Sequence, residues 1–170
     1  GQAEVSFRRA TDILNRESGE NPYLIHEDLQ ETMNVNVGIV RTESELNQAI
    51  EDIGKLRERE TNVKAPGSSQ FNPGWNQAVA LKSMLTISEC VGSAALVRQE
   101  SRGAHTRLDF EGEREEWGAV NLVTRKGPDG RAQVEKVQRT EPDAELKRIA
   151  LSTIEDLDKE VGAEKGLAVG

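Results

Sequence analysis

Cysteine is nearly missing from this chain: of 170 residues, only Cys90 is one. A disulfide framework is therefore excluded, and a lone thiol in an apolar stretch reads as a buried packing group. Aromatic residues are scarce as well, at 4%, and hydrophobic residues make up only 35%. That is enough for a slender helical bundle but thin for a thick layered core, and the length fits one domain with an appended tail. Basic charge is in deficit: 22 Lys and Arg face 30 Asp and Glu, giving a net charge of −8 and a pI near 5.0. Non-specific nucleic-acid binding needs a basic footprint, so that class is excluded. Long apolar runs are missing too. The uncharged pieces on either side of Glu89, 83–88 and 90–97, fall far short of the roughly 20 residues a bilayer demands. No secretory apolar segment opens the chain. A soluble, cytoplasmic chain without direct membrane insertion is expected, any membrane association coming through a partner. The first residue is Gly1, which is expected to mark a piece of a longer protein.

Chemical motifs are absent in the same way. No Gly-x-Gly-x-x-Gly follows a strand, no Walker loop occurs, and no His-x-x-x-His pair exists. No catalytic, cofactor-binding or metal-binding residue is expected in this chain.

What is present is a rod. Asn72-Pro73 offers a capping side chain followed by the one helical position that tolerates proline, and no proline recurs before Pro128. A continuous helix is predicted over 72–101, about 40 Å long, with Gly103 as its C-cap. Trp75, Val79, Leu81, Leu85, Ile87, Val91 and Val97 make it apolar on several sides, as expected of a central helix with neighbours on more than one face. Gly92-Ser93-Ala94-Ala95 has little side-chain bulk, so another backbone can approach closely there.

Shorter helices precede it. One is predicted over 3–16 with Phe7, Ala10 and Leu14 on its stripe, and one over 22–35 with Ile25, Leu29, Met33 and Val37 at four-residue steps. His26 beside that stripe has no second ligand at helical spacing and reads as a packing or surface residue. Thr42-Glu43-Ser44-Glu45 is a capping box opening a third helix, whose buried stripe is Leu46, Ile50, Ile53 and Leu56. Gly54 either weakens that helix or marks close packing. Beyond Gly103 the periodicity stops. Residues 104–117 read as an extended charged strap, and 117–124 and 132–138 as strands joined by Gly127-Pro-Asp-Gly130 turn chemistry. Residues 142–161 read as one amphipathic helix with Leu146, Ile149, Ile154 and Leu157 apolar, and 162–170 as a frayed tail. The fold class is mainly α: an antiparallel three-helix bundle with an extended strap, a short β-hairpin and a C-terminal helix.

Two constellations invite chemistry. Ser101, His105 and Asp109 would form a hydrolase triad only if they converged, and Gly103 breaks the helix that could align them. Arg98, Arg102, His105 and Arg107 could grip a dicarboxylate through bidentate hydrogen bonds. Against that stands pairing with the chain's own acidic residues or with exposed helix carbonyls, which is the favoured outcome in so acidic a chain.

The residues also carry a resemblance. Asn21-Pro-Tyr-Leu-Ile-His-Glu-Asp-Leu-Gln-Glu-Thr-Met33, Gly38-Ile-Val-Arg41, Phe71-Asn-Pro73 and Glu100-Ser-Arg-Gly-Ala-His-Thr-Arg107 with Asp109-Phe110 stand in the order and spacing of one family. The chain resembles, from about Phe7 to Gln138, the C-terminal part of the flavoprotein subunit of succinate dehydrogenase or fumarate reductase. L-aspartate oxidase shares a similar Glu-Ser-Arg-Gly segment, but the hairpin after it favours the succinate/fumarate branch. Glu111 departs from the proline the family usually has after Asp-Phe, and 142–161 matches no part of the family pattern.

The resemblance implies a spectrin-like three-helix bundle in a parent that interconverts succinate and fumarate. It implies FAD in an N-terminal domain and electron transfer to an iron–sulfur subunit, with the flavin- and substrate-binding residues upstream. The expected organisation is 1–21 linking to a flavin domain, 22–103 as the bundle, 104–140 as strap and hairpin, and 141–170 as helix and tail. The chain's expected role is to brace the flavin domain and seat the iron–sulfur subunit without catalysis of its own. Arg98, Glu100, Arg102, His105, Arg107 and Asp109 are the interface candidates. The parent complex is expected on the cytoplasmic face of the membrane, and the chain alone as a possible homodimer. The alternative from composition is a stand-alone helical protein-interaction module.

Overall fold

The computed structural model describes residues 1–164. The chain divides into two compact units, Gly1–Val137 and Gln138–Gly170.

The first unit is built on three helices in mutual contact: α2 (Pro22–Asn36), α3 (Glu43–Glu60) and α4 (Pro73–Val97), with α1 (Gln2–Asn15) laid against α4. Each start is fixed by local chemistry. Asn21 caps α2 through the Tyr23 amide with Pro22 next in line, and Asn72 caps α4 through the Trp75 amide. Thr42 and Glu45 form the expected reciprocal box on α3: Thr42 Oγ1 accepts from the Glu45 amide, and the Thr42 amide donates to Glu45 Oε2 at 2.7 Å.

The core sits where the stripes meet. Ile25 and Leu29 of α2, Ile53 and Leu56 of α3, and Ala78, Leu81 and Leu85 of α4 are buried together, closed at one end by Ile13, Val63 and Ala65. Each buried Leu or Ile contributes about 1.5–3 kcal/mol of transfer free energy. A second cluster joins Val37, Leu46, Ala49 and Ala95, where Gly92 on α4 lets Ile50 of α3 approach. The low-bulk stretch 92–95 is thus where α3 and α4 come close. On α1 the buried residue is Ile13, while Phe7 is exposed, so the stripe of that helix is rotated from the expected one. Trp75 reaches across to donate its Nε1–H to the Ala10 carbonyl at 2.7 Å.

By length and composition α4 could span a bilayer; in this fold Leu81 and Leu85 serve the core, while Val79, Ile87 and Val91 face outward. The helix also stops earlier than expected, at Val97 instead of 101. Arg98 is extended (φ −78°, ψ 102°), and Gly103 (φ +57°) serves a tight turn closed by two Arg102–His105 backbone hydrogen bonds.

After that turn the chain folds back. β2 (Thr106–Arg107) pairs in parallel with β1 (Val40–Arg41), in register Val40 with Thr106 and Arg41 with Arg107. Two-residue strands carry no readable alternation, and neither was expected. The strap then makes one helical turn, α5 (Glu115–Gly118), burying Trp117, so β3 begins at Val120 and not at Trp117. β3 (Val120–Lys126) and β4 (Ala132–Gln138) form the expected hairpin around Gly127–Gly130.

The second unit is helical as expected, but in two pieces, α6 (Ala144–Leu151) and α7 (Ile154–Glu164). Ser152 is extended, and Thr153 begins a new helix by accepting from the Asp156 amide. That local capping signal, Thr-Ile-Glu-Asp, outweighs the apolar periodicity running through it. The expected tail falls mostly on 165–170, outside the described residues.

Candidate docking interface

The segment from Arg98 to Trp117 gathers most of the charge that the sequence singled out, and the fold neutralises nearly all of it internally. Glu100 is fully buried. It accepts from Arg98 Nη1 at 2.6 Å, from Arg102 Nε at 3.0 Å and Nη2 at 3.1 Å, and from the Arg114 amide at 2.9 Å. Burial works to raise its pKa, but these hydrogen bonds from Arg102, Arg114 and Arg98 outweigh it and bring the carboxyl down to about 2.

Arg107 is the other buried charge of this segment, with 1% of its surface exposed. Its Nη1 donates to the carbonyls of Ala95 and Leu96 at 3.1 Å and of Arg98 at 3.3 Å. Those are the orphan acceptors at the end of α4, whose last turn holds no basic residue of its own. The other edge of the guanidinium grips Asp109, Nε to Oδ1 at 2.8 Å and Nη2 to Oδ2 at 2.7 Å. Asp109 Oδ2 also accepts from the Glu43 amide at 2.8 Å, in the first turn of α3. Hydrogen bonding from Arg107 holds the Asp109 carboxyl down at about 2.

Ser101 is fastened as well. Its hydroxyl accepts from the Arg107 amide at 2.9 Å and lies within hydrogen-bond reach of the Phe110 carbonyl at 2.9 Å. His105 Nε2 meets the Arg98 carbonyl at 3.2 Å, and desolvation with the nearby Arg41, Arg107 and Arg98 charges lowers its pKa. Ser101, His105 and Asp109 are therefore each engaged elsewhere, and no hydrolase triad assembles. Trp117 packs beneath the guanidinium of Arg98, 5.5 Å from its centroid, and beneath Lys136 Nζ at 3.7 Å. Gly118 lies where an added Cβ would stand 3.3 Å from Arg102. The strap is thus a fixed part of the bundle.

Beside the strap lies a cation outside these pairs. Arg41 is half-buried, its Nε has no hydrogen-bond partner, and no acidic partner joins it among the described residues. Burial, then the Arg107 charge, lowers its pKa. It opens onto a shallow cleft of about 530 Å³ shared with Arg98, His105, Val91, Ala94 and Leu122. Ile39, Val40 and Leu108 are all more than half exposed beside it. A cleft with uncompensated positive charge and an apolar rim suits an acidic segment of another domain or of a neighbouring protein. Sequence reasoning placed Arg41 in a motif but gave it no role; with Glu43 and Glu45 close by in the chain, its lack of an acidic partner shows only in the fold.

Comparisons with known proteins agree with this architecture. The family described as "Fumarate reductase flavoprotein C-term" matches residues 26–155. A fumarate reductase (CoM/CoB) subunit of Methanothermobacter marburgensis is 35% identical over 123 residues, which is 72% of this chain and 22% of that protein. The fumarate reductase flavoprotein subunit of Escherichia coli is 35% identical over 109 residues, 64% of this chain and 18% of that protein. Among solved structures, the apo Sdh1 complex of Mycobacterium smegmatis superposes with a TM-score of 0.76 at 35% identity, covering 92% of this chain and 28% of that one. The chain thus spans between about a fifth and just over a quarter of the length of these relatives. The family match takes in both the bundle and the strap, along with part of 142–161 that no motif had matched, and the chain belongs to the C-terminal domain family of the succinate dehydrogenase/fumarate reductase flavoprotein subunit.

Proposed function

We propose that this chain is the helical brace of a succinate dehydrogenase or fumarate reductase flavoprotein subunit. In that role it presses on the flavin domain of its own parent polypeptide and helps seat an iron–sulfur subunit. The parent binds FAD, interconverts succinate and fumarate and passes electrons on; none of those contacts is assigned to a residue of this chain. The parent complex sits on the cytoplasmic face of a membrane, and this chain does not insert into the bilayer itself.

One observation carries the proposal: Glu100 and Arg107, the first and last residues of the Glu-Ser-Arg-Gly-Ala-His-Thr-Arg motif, are buried at 0% and 1% exposure, Glu100 drawing the strap together and Arg107 tying it to α4. Groups committed this way, Arg107 to helix carbonyls and Asp109, and Glu100 to Arg98, Arg102 and the Arg114 amide, are not free to bind or protonate a substrate. Of the remaining interface candidates, Arg98, Arg102, His105 and Asp109 keep partial access to solvent, and Arg41, which is in no ion pair among the described residues, joins them. A matching acidic segment on the flavin domain would satisfy it. Exposed Ile39, Val40, Leu108, Ile87 and Val91 supply apolar area for such contacts, and in the isolated chain the same area drives homodimer formation.

The test is direct. The purified chain is examined for a visible flavin absorption band and for succinate-dependent dye reduction. Neither is expected; either one would overturn the division of labour proposed here.

A further inference from the structure

On the other side of α4 lies a cavity that the bracing role does not use. It measures about 210 Å³ and is formed where α3, α4 and the β3–β4 hairpin meet. Arg57, Lys82, Arg125, Lys126 and Arg131 line it, with the buried Glu89 among them. Arg57 Nη2 pairs with Glu89 Oε2 at 2.6 Å, Arg131 pairs with Glu89 Oε1, and Arg125 pairs with Glu135. Five cations thus meet two carboxylates, in a chain whose net charge is −8. Gly54 on α3 leaves the room that the Arg131 guanidinium occupies: an added Cβ would stand 3.3 Å from its Nη1. Glu89 thereby fixes two guanidinium groups in place, one from α3 and one from the hairpin.

A buried donor is also left unmet here. Arg57 Nε is shielded from solvent and has no acceptor, although the same guanidinium reaches Glu89 and the Thr86 hydroxyl. An oxygen-rich anion in the cavity would instead be met by the guanidinium and ammonium groups that line it. Lys82 and Lys126 are in no ion pair among the described residues and are free to close on such an anion. Below roughly 300 Å³ a cavity is too small for a drug-sized ligand, so the occupant must be compact.

We propose that this cavity is a binding site for a small multivalent phosphate, inorganic phosphate or diphosphate. Fixed guanidinium groups with mobile ammonium groups at the rim match the acceptor geometry and charge of such an anion. The site stands independently of the bracing role, because it involves none of the strap residues.

The experiment titrates the whole chain with inorganic phosphate and with pyrophosphate at constant ionic strength. It follows the thermal midpoint and the rate at which Cys90, which lines the cavity, is alkylated by iodoacetamide. Both anions should raise the midpoint saturably and slow alkylation, pyrophosphate more than phosphate, while chloride at equal ionic strength does neither. Lys82→Ala with Lys126→Ala changes only exposed side chains. It should leave the midpoint without phosphate unchanged and weaken phosphate binding at least about tenfold, as expected for losing charge-assisted contacts. Equal effects of chloride, or phosphate binding unaltered in the double variant, would overturn the proposal. Malonate protecting as well as pyrophosphate would overturn the assignment to phosphates.

Discussion

Arg107 and Asp109 form a two-bonded fork, 2.8 and 2.7 Å, that ties the last carbonyls of α4 to the first amide of α3. The positive end of one helix and the negative end of another are thereby joined through a single ion pair. Replacing Arg107 with leucine would strand Asp109 and three helix carbonyls at once. Chemical denaturation should show a loss of about 3–5 kcal/mol, the usual cost of removing one partner of a buried pair. Arg107→Lys should recover only part of it, because an ammonium group cannot reproduce the fork.

Acid should loosen the strap within a defined window. Glu100 and Asp109 both have folded-state pKa values near 2, below their ordinary 4.5 and 3.8. The unfolded chain therefore binds protons first as pH falls. Stability is fully present above about 4.5 and is lost progressively towards pH 2. His105 is also depressed from 6.5, so the fold resists its protonation and loses some stability as pH drops below that value. Denaturant midpoints measured from pH 8 to pH 2 should show a shallow step removed by His105→Gln, then a steep fall at acid pH that remains.

Two glycines separate steric crowding from backbone strain. At Gly19 an added Cβ would stand 2.6 Å from the Asn62 carbonyl oxygen, inside the segment where Glu20 bridges Val63. Gly19→Ala should cost about 1–3 kcal/mol through displaced backbone. Gly103 has open space around it but φ of +57°, so Gly103→Ala should cost about 1–2 kcal/mol from conformation alone. Asparagine, which tolerates the left-handed region, should be milder at 103 but no milder at 19. Thermal unfolding of the four variants decides this.

How far the sequence could be read depended on range. The stripe of α2, the Thr42 box and the Asn72 cap are local patterns that the structure shows; on α3 Leu46, Ile53 and Leu56 are buried as expected, but Ala49 is buried and Ile50 only half-buried. The end of α4 was not legible, because its carbonyls are satisfied by Arg107, a residue that reaches them only after the chain reverses through Gly103. The need shows only once the helix is seen to end at Val97: its last turn then holds no basic residue, and its carbonyls need a donor from elsewhere. Glu89 was likewise read as a charge interrupting an apolar run. Its partners, Arg57 and Arg131, lie 32 positions before it and 42 after it, beyond any periodicity. For the candidate interface, the motif pointed to the segment that the fold packs at the end of α4, but only burial shows that Glu100 and Arg107 face inward while Arg41 is in no ion pair among the described residues.

Self-association should accompany the isolated chain. Ile87, Ile39 and Leu108 are 61–65% exposed, and Phe71 is entirely so. Sedimentation velocity should show a concentration-dependent dimer, weakened by Ile39→Lys with Leu108→Lys; a strict monomer at high concentration would count against apolar docking on this face.

The central claim is that this chain is a brace which a flavin domain grips at the Arg41 cleft. It is tested most directly by isothermal titration of the chain against the separately produced flavin-binding portion of its parent protein. Saturable binding that is lost on Arg41→Glu, with the variant's own thermal midpoint unchanged, is the predicted result. Absence of binding, or binding indifferent to that charge reversal, would contradict it.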